Sequence, residues 1–179
     1  MQNAAFQNMK VKVGKNAYFE YLPHPTVPHK NSNFSTTNQI YLAEGSTLFW
    51  SDLFSCGRKL NGESFDYTTF ENNTTIYKNE IPKIIEHICF EPQNDMPTSL
   101  GQLEEFTHNG SIFIINETVN VSALKQLTND YLSKIENIAF GCSEAPINGL
   151  IVKILANGGE LLFSITKGLS QLLKAEIAK

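Results

Sequence analysis

The sequence lacks most of the features by which enzymes, secreted proteins and membrane proteins are recognised. It contains no glycine-rich phosphate loop, no GxSxG nucleophile motif and no HExxH zinc motif. No apolar run approaches the ~20 residues that a membrane-spanning helix needs. The segment Met1–Asn8 has neither the basic nor the apolar part of a signal peptide. These absences favour a cytoplasmic protein without enzymatic activity.

Cysteine is scarce and basic residues are dispersed. Cys56, Cys89 and Cys142 are widely spaced and form no CxxC pair, which argues against a zinc ribbon or a thioredoxin-like site. We expect them to be buried free thiols in a reducing compartment. The 14 basic residues are scattered among 18 acidic ones, and the net charge is -4. This balance argues against a dominant role in nucleic-acid binding.

The pattern that is present indicates a mainly β fold. Hydrophobic residues make up 41% of the 179-residue chain and charged residues 18%, as in a globular domain. Short alternating or apolar segments between turn residues predict about nine strands, and helical periodicity predicts two helices in the last third. We predict one domain over 1–179, with mostly antiparallel or mixed stacked sheets. Its parts are a sheet-forming region (1–90), a loop and strand (91–121), and helices with late strands (122–179).

Local signals predict how neighbouring strands are joined. Met9–Val13 and Ala17–Leu22 are predicted to form a hairpin. Gln39–Ala43 is predicted as a short strand, and Thr47–Ser55 as a long apolar one. The Asn61-Gly62 pair is typical of a two-residue hairpin turn, so we expect Ser64–Phe70 to be the strand that returns from Thr47–Ser55.

The helix predictions rest on capping residues and apolar spacing. Ser122 is the expected N-cap of the first helix, and Asn157 with Glu160 resembles a capping box at the start of the second. The second helix should dock by one apolar stripe and turn its polar residues away from the sheet. Those polar residues are Lys167, Ser170, Gln171 and Lys174.

The stretch Tyr18–Glu63 organises the chain. Its prolines at 23, 25 and 28 fix φ and remove ladder donors, so residues 23–28 are expected to be an extended arm without strand pairing. His24 and His29 flank this arm. They are weak candidates for a nickel or zinc site, and exposed loop residues are the simpler interpretation, since no third ligand is nearby.

Asp52 is the most unusual charge, because it lies within the apolar strand Thr47–Ser55. A buried carboxylate needs a partner or water. Asp52, Arg58, Glu63 and Asp66 lie on adjoining segments, and pairing with an arginine is the simplest way to satisfy Asp52. The alternative is a line of charged groups along an internal cavity or a partner surface. Both interpretations remain open at this stage.

A second group, His87, Cys89 and His108, is the candidate for a different function. His87 and Cys89 are two residues apart and therefore share one strand face. With His108 they could form the site of a β-fold enzyme. The simpler interpretation is that all three are core residues.

Two motifs resemble those of the UreD (UreH) family of urease accessory proteins. The segment from residue 18 to 28 resembles the family signature LEYLPxPxIP. Gly57-Arg58 followed by Gly62-Glu63-Ser64-Phe65 resembles GRxxxGExF. The signature positions are Tyr21, Leu22, Pro23, Pro25, Pro28, Gly57 and Gly62.

Two weaker matches follow later in the chain. Glu105–Gly110 lies where the family has a loop, and Gly149–Ala156 resembles GLxVRxLA, with Lys153 in place of the usual arginine. The family resemblance also implies that family members carry an additional N-terminal segment, so we expect this chain to correspond to the C-terminal part of such a protein.

The resemblance implies a β-helix-like stack of sheets and a non-enzymatic scaffold for nickel insertion into apo-urease. It implies partners of the UreF and UreG types, nickel handled in transit through an internal tunnel, and no permanently bound cofactor. By position in the motifs, Glu20, Asp52 and Glu63 are candidates for tunnel or partner contacts, and Arg58 for holding a corner. The alternatives are a small ligand-binding β domain and the enzyme at His87, Cys89 and His108.

Overall fold

A computed structural model describes residues 4–178. The expectation for Met1–Asn8 therefore lies partly outside the described residues. Within them the chain forms nine strands and two α-helices, as predicted for the mainly β class. The elements are β1 (Ala4–Val13), β2 (Tyr18–Tyr21), β3 (Asn33–Leu42), β4 (Thr47–Ser55), β5 (Thr69–Lys78), β6 (Ile81–Phe90), β7 (His108–Asn116), α1 (Val121–Leu132), β8 (Ile138–Glu144), β9 (Gly149–Ala156) and α2 (Gly159–Ile177).

The first five strands alternate between two stacked sheets. Sheet A has the order β1-β3-β5-β6, and sheet B has the order β2-β4-β7-β9-β8. Strands β1, β3 and β5 pair in parallel, as do β2 and β4, whereas the remaining pairs are antiparallel. The sheets are therefore mixed, and the β-helix-like stack implied by the resemblance is confirmed.

Two predicted hairpins are wrong, for the same reason. Segment 14–17 carries the chain from β1 in one sheet to β2 in the other, so these strands do not pair. Asn61-Gly62 ends a short 3-10 helix, Lys59–Asn61. The chain then crosses to sheet A and begins β5 at Thr69, so Ser64–Phe70 is not the return strand of β4. Turn residues mark where the direction changes, but they do not say which sheet follows.

The polar segment before Gln39 is also part of a strand, because β3 already begins at Asn33. Its side chains alternate between buried Thr36 and Asn38 and less buried Ser35 and Thr37. The proline arm is extended as predicted, but it makes one strand-like contact. The Thr26 amide donates to the Leu53 carbonyl (2.8 Å) and the Ser55 amide to the Thr26 carbonyl (2.9 Å).

Apolar side chains form three clusters. The largest joins both helices to the outer face of sheet B, where Phe49 and Ile112 meet Leu162 and Leu169 of α2. The other two lie between the sheets and contain, among others, Trp50 with Ile76 and Phe54 with Tyr67. The helices thus cover one sheet, while the space between the sheets holds two separate apolar cores.

The helix ends differ from the predictions. The N-cap of α1 is Asn120, whose side chain accepts from the Ala123 amide, and not Ser122. The N-cap of α2 is Gly158 without a side-chain bond, because the Asn157 side chain accepts from Thr107 instead. Ser170 does not face away from the sheet but is buried. Among residues 4–178 no helix is long and apolar enough to cross a membrane.

Candidate functional site

A band of polar side chains crosses the interior between the two apolar cores. We call it the polar layer. Strand register brings its members together, because neighbours in register on adjacent strands project to the same face of a sheet. In sheet A, Asn38 pairs with Thr74 and Thr74 with Glu86. In sheet B, Asp52 pairs with Ser111 and Ser111 with Lys153. The polar layer consists of Asn38, Asp52, Asn72, Thr74, Glu86, Ser111 and Lys153.

Asp52 is held by neutral donors. The Thr74 hydroxyl donates to Oδ2 at 2.6 Å and the Asn72 amide at 3.2 Å. The Trp50 indole donates to Oδ1 at 2.9 Å, and the Asn38 amide contacts the same oxygen at 3.5 Å. Pairing with Arg58, one of the two interpretations that the sequence left open, is therefore wrong. Neutral hydrogen bonds satisfy the oxygens of Asp52 without cancelling its charge.

This environment shifts the titration of Asp52. Burial is the main cause and raises its pKa from 3.8 to about 6, and the neighbouring charge of Glu86 acts in the same direction. The bonds from Thr74, Trp50 and Asn72 oppose the shift without overcoming it. Asp52 therefore changes its charge close to neutral pH.

A cavity of about 70 Å³ adjoins Asp52. This space is large enough for a few small molecules the size of water. It lies between β3, β4 and β5, and Gln7 of β1 and Tyr21 of β2 also line it. Since β1 and β2 are edge strands, the cavity reaches the β1/β2 side of the stack. Its polar lining residues are Gln7, Tyr21, Thr26, Thr36, Asn38, Asp52 and Asn72.

The opposite side of the polar layer carries an ion pair. Lys153 of β9 donates to Glu86 of β6, and also to the Ser111 hydroxyl at 2.7 Å. The Lys153 side chain is 44% exposed, whereas that of Glu86 is 12% exposed. Two acceptors in the polar layer, Glu86 Oε2 and Asn38 Oδ1, are buried without a hydrogen-bond partner among residues 4–178.

The other charged candidates lie outside the polar layer. Arg58 forms a two-point contact with Glu63, from Nε at 2.9 Å and from the guanidinium terminus at 2.5 Å. Glu63 also accepts from the Lys30 amide. This contact lowers the pKa of Glu63 and raises that of Arg58. Arg58 and Glu63 thus pair within the segment that joins β4 to β5, and Asp66 of the same segment is exposed.

Glu20 faces the helix layer. It accepts from Ser170 and pairs with Lys174, both on α2, and Tyr18 contacts it at 3.3 Å. Burial alone would raise the pKa of Glu20, but the bonds from Lys174 and Ser170 outweigh it and lower the pKa. Glu20 therefore links strand β2 to the last helix. The prediction that Lys174 turns away from the sheet is wrong, because it pairs with this strand residue.

The histidines of the proline arm are not placed together in a metal site. His24 is stacked on Phe163 with ring centroids 4.0 Å apart, and His29 is exposed. Among residues 4–178 no group of three or more histidine, cysteine, aspartate or glutamate side chains is arranged to hold a metal ion.

The alternative enzyme site is not assembled either. His87 and Cys89 do share one strand face, but it is exposed, and His87 contacts Glu71 at 2.9 Å. His108 begins β7 in the other sheet and contacts Thr107. Although Cys89 is exposed, partial desolvation of its sulfur and the nearby charges of Glu91 and Glu71 raise the pKa of the thiol, which disfavours a reactive thiolate. The prediction that His87 and Cys89 are core residues is wrong, and of the three free cysteines only Cys56 is buried.

Sequence reasoning found Asp52 but missed most of its surroundings. Asn38, Asn72 and Glu86 were not singled out from the sequence. The available signal was that polar residues recur at alternate, inward-facing positions of strands whose other inward residues are apolar. That signal becomes specific only when the register of both sheets is known.

The fold and site define a β-stack protein with a polar layer across its interior. The sequence profile of the UreD urease accessory protein family matches residues 1–179, and the chain belongs to this family. It is 36% identical over 165 residues to the urease accessory protein UreD of Flavobacterium johnsoniae, covering 92% of this chain and 60% of that one.

Other relatives show the same relationship. The UreD of Actinobacillus pleuropneumoniae is 33% identical over 96% of this chain and 65% of its own length. The UreH of Helicobacter hepaticus is 29% identical over 93% of this chain and 64% of its own length. This chain thus spans less than two thirds of these relatives. Their descriptions name accessory proteins and no enzymatic activity, in agreement with the prediction of a non-enzymatic protein.

Proposed function

We propose that this chain acts as a urease accessory protein that helps to insert nickel into apo-urease. In this proposal it works in the cytoplasm, in a complex with accessory proteins of the UreF and UreG types. Nickel is its cargo and not a resident cofactor. Membership of the UreD family supports the accessory role, and the polar layer supports the handling of a cation.

The observation that carries the proposal is the position of Asp52. Its carboxylate lies in the interior beside a cavity, and its hydrogen bonds come from neutral groups. A carboxylate whose charge no cationic partner cancels attracts a passing cation, and a site that binds the cation only weakly also allows its release. The polar layer would therefore serve as part of a path for Ni²⁺ across the stack.

The test is urease activation in cells that lack their own UreD-type protein. With this chain supplied, Asp52→Asn should lower urease activity and the nickel content of purified urease together. Copurification with the UreF-type and UreG-type partners should be unaffected, because Asp52 is internal. Asp66→Asn, which replaces an exposed aspartate, is the matched control.

Two results would refute parts of the proposal separately. Full activation by Asp52→Asn would exclude the path through the polar layer while leaving the accessory role intact. Failure of the unsubstituted chain to copurify with either partner would count against the complex. The enzyme alternative predicts that a triple alanine variant of His87, Cys89 and His108 loses function, whereas we expect that variant to retain urease activation.

A further inference from the structure

The polar layer already contains one cation, the ammonium of Lys153. We propose that this ammonium competes with a passing Ni²⁺ ion for the carboxylate of Glu86. Because the ammonium occupies Glu86, only the Asp52 side of the layer is free to bind Ni²⁺. This inference rests on the proposed function, since it concerns the same layer. It assigns to Lys153 a role in setting how tightly the layer holds a cation.

The two carboxylates of the polar layer, Asp52 and Glu86, lie close enough to influence each other electrostatically. Thr74 donates to Asp52 at 2.6 Å and lies directly opposite Glu86 in the β5–β6 register. Ser111 lies opposite Asp52 in the β4–β7 register and accepts from Lys153 at 2.7 Å. A charge at Lys153 or at Glu86 is therefore separated from Asp52 by a single side chain.

Glu86 has capacity to bind more than its present partner. Only one of its oxygens, Oε1, is bonded to Lys153, and Oε2 is buried without a partner among residues 4–178. Asn38, which is 3% exposed and lines the cavity, has a free Oδ1 as well. With the ammonium removed, the polar layer would offer a passing divalent cation the carboxylate of Glu86 as well as Asp52 and the amide oxygen of Asn38.

Lysine is suited to this role because its ammonium is a single charge on a flexible stem. The side chain is 44% exposed, so the ammonium can reach water when it leaves Glu86. Gly141 lies opposite Lys153 in the β8–β9 register, and open space surrounds the position where a Cβ would be. The lysine stem therefore has room to move.

The experiment measures Ni²⁺ binding to this chain through the fluorescence of Trp50. It is the only tryptophan, and its indole donates to Asp52 at 2.9 Å. Nickel sulfate is titrated into the unsubstituted chain, Lys153→Met and Glu86→Gln. We expect Lys153→Met to lower the Kd roughly tenfold, the factor that one charge-assisted interaction is worth. Glu86→Gln should raise the Kd, because the ammonium is then left uncompensated near Asp52.

The Kd for Ni²⁺ is expected to fall in Lys153→Met and to rise in Glu86→Gln, and this difference distinguishes competition by Lys153 from a purely structural role. Loss of a merely structural ion pair would loosen the fold and weaken binding in both variants, which would overturn the proposal. An unchanged Kd in Lys153→Met would overturn it too. The double variant Lys153→Met/Glu86→Gln removes both charges of the ion pair, and it should lose the gain seen in Lys153→Met. Tighter binding in the double variant would contradict the proposal.

Two further variants complete the design. Lys153→Arg keeps the positive charge beside Glu86 and should not show the roughly tenfold gain expected of Lys153→Met, while Lys15→Met, which removes an exposed lysine paired with Glu44, controls for removing a lysine elsewhere. The experiments distinguish failure of the role proposed for Lys153 from failure of the proposed function. Intact urease activation by Asp52→Asn would reject the path, whereas equal Kd values in Lys153→Met and the unsubstituted chain would reject only the role of Lys153.

Discussion

Replacement of Asp52 by asparagine should change how the stability of the fold depends on pH. The pKa of Asp52 is raised from 3.8 to about 6 in the folded chain, so the folded chain binds this proton more tightly than the unfolded one. The contribution to stability is complete below about pH 4 and is lost as pH rises through about 6. A shift of this size corresponds to about 3 kcal/mol in the free energy of unfolding.

About 2 kcal/mol of this loss should fall between about pH 4.5 and about pH 7.5. Asparagine keeps the shape of the side chain but does not ionise. The stability of Asp52→Asn minus that of the unsubstituted chain should therefore rise by about 2 kcal/mol from the lower to the higher pH. The constant cost of altered hydrogen bonds cancels in this comparison, since it is present at both pH values.

The assay is urea unfolding at both pH values, followed by the fluorescence of Trp50. Asp66→Asn, which replaces an exposed aspartate, is the matched control and should not reproduce the rise. A difference between variant and unsubstituted chain that stays constant with pH would refute the reasoning. It would mean that water or a cation already compensates the buried charge.

Three further predictions concern other parts of the molecule. Leu162→Ala should reduce the free energy of unfolding by about 2–5 kcal/mol in urea, because Leu162 is fully buried against sheet B. Glu20→Gln should destabilise the chain in thermal melts at neutral pH but lose its effect in acid, because the lowered pKa of Glu20 makes its contribution disappear as pH falls. A thiol reagent should modify exposed Cys89 in the folded chain and buried Cys56 only on unfolding, as mass spectrometry of the labelled peptides can establish.

The sequence predicted the individual elements better than their connections. Strand β4 runs from Thr47 to Ser55 as predicted, because its continuous apolar pattern is decisive locally. Whether β1 pairs with β2 or with β3 depends on a comparison of distant segments, and local turn signals carry no information about it. The sheet change after Asn61-Gly62 was missed for the same reason.

The candidate site was predictable only in part. A charge inside an apolar strand identified Asp52 as unusual, since burial of an unpaired carboxylate is costly. Its partners come from β3, β4 and β5, and they were not predictable because the register that brings these strands together cannot be read from local patterns. The assumption that a charge needs an opposite charge led to Arg58, whereas neutral donors satisfy Asp52.

The polar layer also bears on how the strands find their alignment. Parallel strands bring together residues far apart in the chain, such as Ala4 with Asn33 and Asn33 with Thr69. A slip of two residues keeps the same face inward, so apolar burial alone discriminates weakly against it. Here such a slip would move Asn38 or Thr74 out of reach of Asp52 and into an apolar core. The hydrogen bonds of Asp52 would thus favour the correct strand register during folding.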